Sequence, residues 1–277
     1  KMSNALVIGN GETRKWFTPC HQTIMAENVI TWGCNAIHRE GTVDNLVSVD
    51  YGMQQEIYDS DYHLNNKCWF SNWSILPSEV ADMMFMGYDI PEGFIHKNSK
   101  RTGHCVISGK DPTTLSENIQ SAIDANPTLD IEDLKLKLSK DVGVWITYVE
   151  ENNSIINVDF PIGWSTGNTA LHLACQQNPE RVYMMGFDLS AYSEDLNNIY
   201  KGTNNYLPSD AKGFNSSNWL NQMKMVLQEF KDIDFYWVDS IDRLGQKEFF
   251  QNSNDGPLQK NLNYITKNEL CEELKII

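Results

Sequence analysis

The chain has 277 residues, of which 41% are hydrophobic, and its net charge at neutral pH is −15. No stretch approaches the roughly 18 apolar residues that a membrane-spanning helix requires. The negative charge argues against a general nucleic-acid-binding surface, because such a surface needs lysine and arginine to displace counterions from phosphates.

Short apolar and β-branched runs predict a series of strands, which begins at residues 5–8 and breaks into a turn at Gly9-Asn10-Gly11. Two helical patterns, over 166–177 and 219–230, have apolar residues along one face. Strands that alternate with helices predict an α/β protein with a Rossmann-like, mostly parallel sheet and helices on both faces. The further predicted strands are 29–32, 46–49, 105–108, 144–149, 181–185 and, as the last, 235–238.

The chain is long enough to bury a large core, and we expect one domain over residues 1–250 followed by a C-terminal tail over 251–277. Within that domain, residues 190–217 are polar, weakly patterned and rich in Asn, Ser and Tyr. Long ordered loops of this kind often cover active sites. We therefore predict a lid over 190–217.

Polar residues follow several of the predicted strands. In open parallel sheets, ligands bind at the carboxyl ends of the strands. Any one of these residues could be an ordinary turn former or helix cap, but together they favour a pocket. The residues that this rule selects are Asn10, Gly11, Asn35, Asp50, Asp188 and Asp239.

Two segments are suited to bind phosphate. Glycine at positions 9 and 11 would let the backbone approach a ligand, and a helix that follows would direct free N–H groups at phosphate oxygens. Arg14 stands near the third glycine of G-x-G-x-x-G, and no Walker lysine follows, so neither dinucleotide nor P-loop chemistry is favoured. Ser165, Thr166 and Gly167 open the second helical pattern, where hydroxyl groups can cap the helix or bind an anion.

Metal and disulfide sites have little support. The six cysteines are scattered with no C-x-x-C pair, which predicts neither a zinc site nor a disulfide framework. Charged residues and glycine interrupt the first apolar run, so no secretory signal is predicted and we expect a cytoplasmic protein, with a homo-oligomer left open. Of the two D-x-D segments, 59–61 lies in a polar stretch and 232–234 precedes a strand, so neither follows an apolar strand.

These motifs, in their order, resemble the bacterial sialyltransferases of glycosyltransferase family 42. The similarity covers residues 5 to about 240 as a series of short matches. The corresponding segments are 9–13 for the family's G-N-G-P-S, Cys34-Asn35 for its Cys-Asn, Asp50 and Glu56 for its Asn and helical Glu, 165–167 for its T-S-G, and 186–190 for its G-I-D-F-Y.

The resemblance implies a sialyltransferase-like fold, a cytidine monophosphate (CMP)-sugar donor, a glycan or other hydroxyl acceptor, and no metal or other cofactor. The residues that it implies for the donor's phosphate and cytidine are Asn10, Asn35, Thr166 and Gly167. Asp188 would hold the nucleotide or sugar. With the phosphate-suited segments and Asp50, the predicted binding set is Gly9, Asn10, Gly11, Asn35, Asp50, Ser165, Thr166, Gly167 and Asp188.

The resemblance also implies roles for residues of the lid. Tyr192 and Tyr200 would act on the donor phosphate and aid the departure of the leaving group. The family's lid histidine has no counterpart, since no histidine follows His172, so Asp210 is the nearest acid that could deprotonate an acceptor hydroxyl. Asp50 stands where the family has Asn, and its charge would repel a carboxylated sugar.

Two alternatives stay open. In a Mg²⁺-dependent nucleotide enzyme of the pterin-pyrophosphokinase type, Asp50, Asp188 and Asp239 would be metal ligands through their carboxylate oxygens. In a non-catalytic module, the same cleft would bind a nucleotide or sugar without turnover, which the missing lid histidine favours.

Overall fold

The computed structural model describes residues 3–71, 105–109, 143–148, 155–158, 164–190, 196–213, 215–251 and 260–277. The strands are β1 (Asn4–Ile8), β2 (Val29–Cys34), β3 (Asn45–Ser48), β4 (Cys68–Ser71), β5 (Cys105–Gly109), β6 (Gly143–Tyr148), β7 (Ile155–Val158), β8 (Arg181–Met185), β9 (Asp234–Val238) and β10 (Leu262–Ile265). The α-helices are α1 (Tyr51–Asp59), α2 (Thr166–Cys175), α3 (Ser217–Glu229), α4 (Arg243–Gln251) and α5 (Lys267–Leu274). Short 3-10 helices span Glu12–Arg14, Asn35–Arg39 and Tyr62–Leu64.

Eight strands form one sheet in the order β10-β9-β8-β1-β2-β3-β4-β7, and all of their pairings are parallel. The chain starts at β1 inside the sheet, proceeds outward to β7, and then returns to the other side of β1 with β8. Ligands of open α/β sheets bind where the strand order reverses in this way. The switch point of this sheet lies between β1 and β8, and the predicted Rossmann-like fold is confirmed.

Both faces of the sheet are covered, because successive side chains of a strand point to opposite faces. In β1, Ala5 and Val7 join a core cluster with α2 and α3, whereas Leu6 and Ile8 join a second cluster with α1 and α5. This explains why the strand is an unbroken apolar run rather than an alternating one. Among the described residues, no helix is long and apolar enough to cross a membrane.

The sheet differs from the prediction at its edges. The prediction that 235–238 is the last strand is wrong, because β10 pairs in parallel with β9, and α5 follows with a capping box formed by Thr266 and Glu269. The expected boundary at residue 250 thus separates strands of one sheet. Three residues of β10 are only partly buried, which weakens the apolar signal of an edge strand. The short strands β4 and β7 were also missed, while β5 and β6 pair with each other in a separate antiparallel sheet.

Candidate functional site

A cleft of about 540 Å³ lies at the carboxyl ends of the strands around the switch point. All nine residues of the predicted binding set line it. The predicted catalytic residues do not join them: Tyr200 and Asp210 are not among the lining residues, and Tyr192 lies outside the described residues.

The loops that leave β1 and β8 touch backbone to backbone. A Cβ atom on Gly9 would lie 2.6 Å from the carbonyl oxygen of Gly186, and one on Gly186 would lie 2.7 Å from that of Gly9. The Gly9 N–H donates to Met185 O at 2.8 Å, and the Gly11 N–H donates to Gly186 O at 2.8 Å. These glycines therefore allow the two loops to pack, which is a different reason from the ligand approach that the sequence predicted.

The N–H groups of the 3-10 helix after β1 also bond within the protein. The Glu12 N–H donates to Asn197 Oδ1 at 2.8 Å, and the Thr13 N–H donates to Asp188 Oδ2 at 2.9 Å. Asp188 Oδ1 accepts from the Thr13 hydroxyl as well. Burial raises the pKa of the Asp188 carboxyl group, and the hydrogen bonds from Thr13 oppose that rise. Asp188 thus holds the first loop in place, and that loop directs few free N–H groups into the cleft.

Arg14 explains why a basic residue stands where G-x-G-x-x-G has glycine. Its side chain is wholly buried, and its guanidinium orients Asn10 by donating to Oδ1 at 3.2 Å. The Asn10 amide nitrogen is consequently directed toward Cys34 O at 3.3 Å. The other acceptors of Arg14 are Gly9 O at 2.7 Å, Tyr200 Oη at 2.9 Å, Glu40 Oε2 at 2.9 Å and Phe17 O at 3.1 Å.

The segment predicted as a lid, 190–217, contributes Tyr206 to the cleft in place of Tyr200. Tyr200 is buried, and its hydroxyl accepts from Arg14. The oxygen of Tyr206 accepts from Asn10 Nδ2 at 3.4 Å and from the Ala36 N–H at 3.5 Å, which leaves its own O–H free to donate. Burial raises the pKa of Tyr206, so the hydroxyl stays protonated at neutral pH. Tyr206 is thus a hydrogen-bond donor on the wall of the cleft.

The N-terminus of α2 opens into the same cleft. Ser165 caps this helix, since its Oγ accepts from the Asn168 N–H at 3.2 Å. Asn35 Oδ1 accepts from the hydroxyls of Thr166 at 3.3 Å and Ser48 at 3.0 Å. Within the described part of the chain, no acceptor bonds the N–H groups of Thr166 and Gly167. An anion placed there would meet two free N–H groups and the positive end of the helix dipole.

The charges on the described walls of the cleft are few. Asp50 precedes α1 without a side-chain capping bond, is exposed, and lines the cleft. Protein atoms around it nevertheless raise the pKa of its carboxyl group. Lys201 is the one basic side chain among the described lining residues, which also include the asparagines Asn10, Asn35, Asn168, Asn197, Asn198 and Asn205. Neutral amides of this kind suit the hydroxyl and base groups of a nucleoside or sugar.

The three aspartates of the Mg²⁺ alternative do not all meet at the cleft. Asp239 is not among its lining residues, and Asp239 Oδ1 accepts from the Lys267 N–H at 3.0 Å, at the start of α5. The carboxylate of Asp188 is bonded by Thr13, as described above. In the described ranges, no group of three His, Cys, Asp or Glu side chains is arranged to hold a metal ion.

Comparisons with protein-family models, with curated proteins and with solved structures find no match. The residues of the cleft are therefore what indicates a function. Sequence reasoning did not select Tyr206 or Lys201, although both lie in the polar segment predicted as a lid. Tyr206 could have been considered beside Tyr200, since both are tyrosines of that segment.

Proposed function

We propose that the protein is a glycosyltransferase that moves a sugar from a nucleotide-sugar donor to an acceptor hydroxyl, without a metal. Its resemblance to family 42 makes a CMP-sugar the expected donor. The observation that carries the proposal is the N-terminus of α2 at a cleft by the switch point of the sheet, where the N–H groups of Thr166 and Gly167 have no acceptor among the described residues.

In such a transfer, the bond between the anomeric carbon and the phosphate oxygen breaks, and the electron pair stays on the phosphate. Donors already directed at that oxygen stabilise the developing charge without reorganising. The N–H groups of Thr166 and Gly167 fit this role, and the protonated hydroxyl of Tyr206 adds a third donor. Tyr206 thereby takes the part that the resemblance implied for Tyr192 and Tyr200.

The acceptor hydroxyl must lose its proton as it attacks, and Asp50 is the best placed base among the described residues. A general base has to come within hydrogen-bond reach of the reacting hydroxyl. Asp50 lines the cleft, whereas Asp210 is exposed and not among the lining residues. Its raised pKa makes the Asp50 carboxylate a stronger base than an ordinary aspartate.

Asp50 also favours a neutral sugar over a carboxylated one. Two like charges about 6 Å apart repel each other by about 0.7 kcal/mol in bulk water and by about 3 kcal/mol at an effective dielectric constant of about 20. The open mouth of the cleft places the repulsion between these values. The asparagine amides would instead donate to and accept from neutral hydroxyls.

The test is release of CMP from CMP-sugars with neutral and carboxylated sugars, in the presence of EDTA and with simple glycan acceptors. We expect acceptor-dependent CMP release that Asp50→Asn reduces at least tenfold, while Asp210→Asn stays close to wild type. CMP should still bind the Asp50→Asn variant. Nucleotide binding that requires Mg²⁺ would support the pyrophosphokinase-type alternative, and CMP binding without turnover of any donor would support the binding module.

A further inference from the structure

Lys201, in the segment predicted as a lid, lines the cleft and forms an ion pair with Glu12. Its Nζ atom lies 3.0 Å from Glu12 Oε1 and 3.2 Å from the carbonyl oxygen of Leu196. It lines the cleft, and it is the one described cation there beside two aspartates, Asp50 and Asp188. A ligand phosphate in this cleft would have Lys201 as its charged partner among the described lining residues.

Lys201 can exchange its ion pair with Glu12 for one with a ligand phosphate. Both side chains are 31% exposed, and ion pairs that solvent reaches contribute little to stability. Glu12 has a second partner in Lys15, whose Nζ lies 3.2 Å from the same Oε1 atom. Both lysines lower the pKa of Glu12 through hydrogen bonds. Glu12 would thus remain neutralised by Lys15 if Lys201 turned to a phosphate.

We propose that Lys201 binds the phosphate of the nucleotide and stabilises it as the leaving group. This inference rests on the proposed transferase function. In a CMP-sugar, the phosphate is a diester with one negative charge, and breaking its bond to the sugar leaves a monoester with up to two. The ammonium group therefore interacts more strongly with the departing phosphate than with the intact donor, which is the condition for catalysis.

Lys15 provides a matched control, because it pairs with the same carboxylate but does not line the cleft. The experiment is calorimetric titration of CMP and of cytidine into wild type, Lys201→Gln and Lys15→Gln. We expect Lys201→Gln to weaken CMP binding by roughly 10- to 100-fold, the range for a hydrogen bond to a charged group. Cytidine has no phosphate, so its affinity should not change, and Lys15→Gln should bind both ligands as wild type does.

The outcomes separate this inference from the proposed function. If wild type binds CMP and Lys201→Gln binds it equally well, the assignment of Lys201 is wrong and the transferase proposal stands. If Lys201→Gln loses CMP and cytidine to the same extent, Lys201 shapes the cleft and does not bind phosphate. If wild type binds no CMP, both proposals fail. Equal thermal midpoints of the three proteins would show that folding is not the cause.

Discussion

Replacing Gly186 by alanine tests how the candidate site is built at the switch point. Gly186 has φ +72°, and a Cβ atom there would lie 2.7 Å from the carbonyl oxygen of Gly9 and 3.0 Å from Arg14 Cγ. Gly202 has a similar φ of +79°, but its nearest neighbours would lie 3.5 Å or more from a Cβ atom. The two glycines thus share a backbone conformation and differ in the space around them.

The expected losses in the free energy of unfolding follow from the backbone conformation of each glycine and the space around it. An L-residue in the left-handed region costs about 1–2 kcal/mol, and this is the whole cost at Gly202. At Gly186 the added methyl group must also displace a backbone carbonyl, and overpacking of this kind costs a further amount of about 1–3 kcal/mol. We therefore expect Gly186→Ala to lower the free energy of unfolding by about 2–5 kcal/mol and Gly202→Ala by about 1–2 kcal/mol. Alanine also restricts the unfolded chain, but by the same amount at both positions.

The measurement is urea unfolding of wild type and the two variants, with the midpoint and slope recorded separately. Gly186→Ala should also bind CMP more weakly, because Gly9 O is the acceptor of Arg14 Nε and the adjacent Asn10 would move with it. Equal losses of stability at the two positions would refute the argument that contact between the β1 and β8 loops requires glycine.

Three further predictions concern individual side chains. Thr166→Pro should weaken CMP binding by about 1.5–3 kcal/mol relative to Thr166→Val. Both variants lose the hydroxyl, but only proline lacks the N–H. Proline fits the first helical position, because the preceding Ser165 is extended. Equal affinities of the two variants for CMP in a titration would contradict the role of that N–H. Arg14→Met should lower the free energy of unfolding by about 3–5 kcal/mol, because it removes a wholly buried guanidinium that pairs with the partly exposed Glu40 and leaves Gly9 O and Phe17 O without their donor. Arg39→Met, at a pair with both side chains partly exposed, should cost about 1 kcal/mol. Chemical denaturation of both variants compares the two values. The transfer rate should fall as pH drops through the raised pKa of Asp50, since only the ionised carboxylate accepts a proton. If the same fall in rate at acidic pH persists in Asp50→Asn, another group is the base.

Five of the six residues that the strand-end rule selected line one cleft, because the carboxyl ends of parallel strands meet at one edge of the sheet, whereas the sixth, Asp239, does not line it. The rule could not tell which N–H groups remain free there. The bond from Thr13 N–H to Asp188 joins residues 175 positions apart, and such partners leave no local signal. Among the described residues, the N–H groups of Thr166 and Gly167 in α2 have no acceptor, whereas those of Gly9, Gly11, Glu12 and Thr13 are bonded inside the protein.

The two tyrosines and the last strand likewise could not be predicted from local sequence. Tyr200 and Tyr206 belong to one polar segment, and Tyr200 is the one whose hydroxyl meets Arg14, 186 residues away in the chain. Strand β10 lies at the edge of the sheet, where an asparagine and partly exposed side chains replace the apolar run of a central strand. The hydrophobic sequence pattern is weakest in such edge strands. A strand with a neighbour on one side only requires fewer apolar residues.

The most direct test of the nucleotide site is an NMR titration of ¹⁵N-glycine-labelled protein with CMP. The chain has 17 glycines, and triple-resonance spectra of uniformly labelled protein would assign the signals of Gly9, Gly11 and Gly167. We predict the largest shift at Gly167, whose N–H has no acceptor among the described residues, and small shifts at Gly9 and Gly11, whose N–H groups donate to Met185 and Gly186. Large shifts at Gly9 and Gly11 with none at Gly167, or no shift at any of the three, would contradict the account.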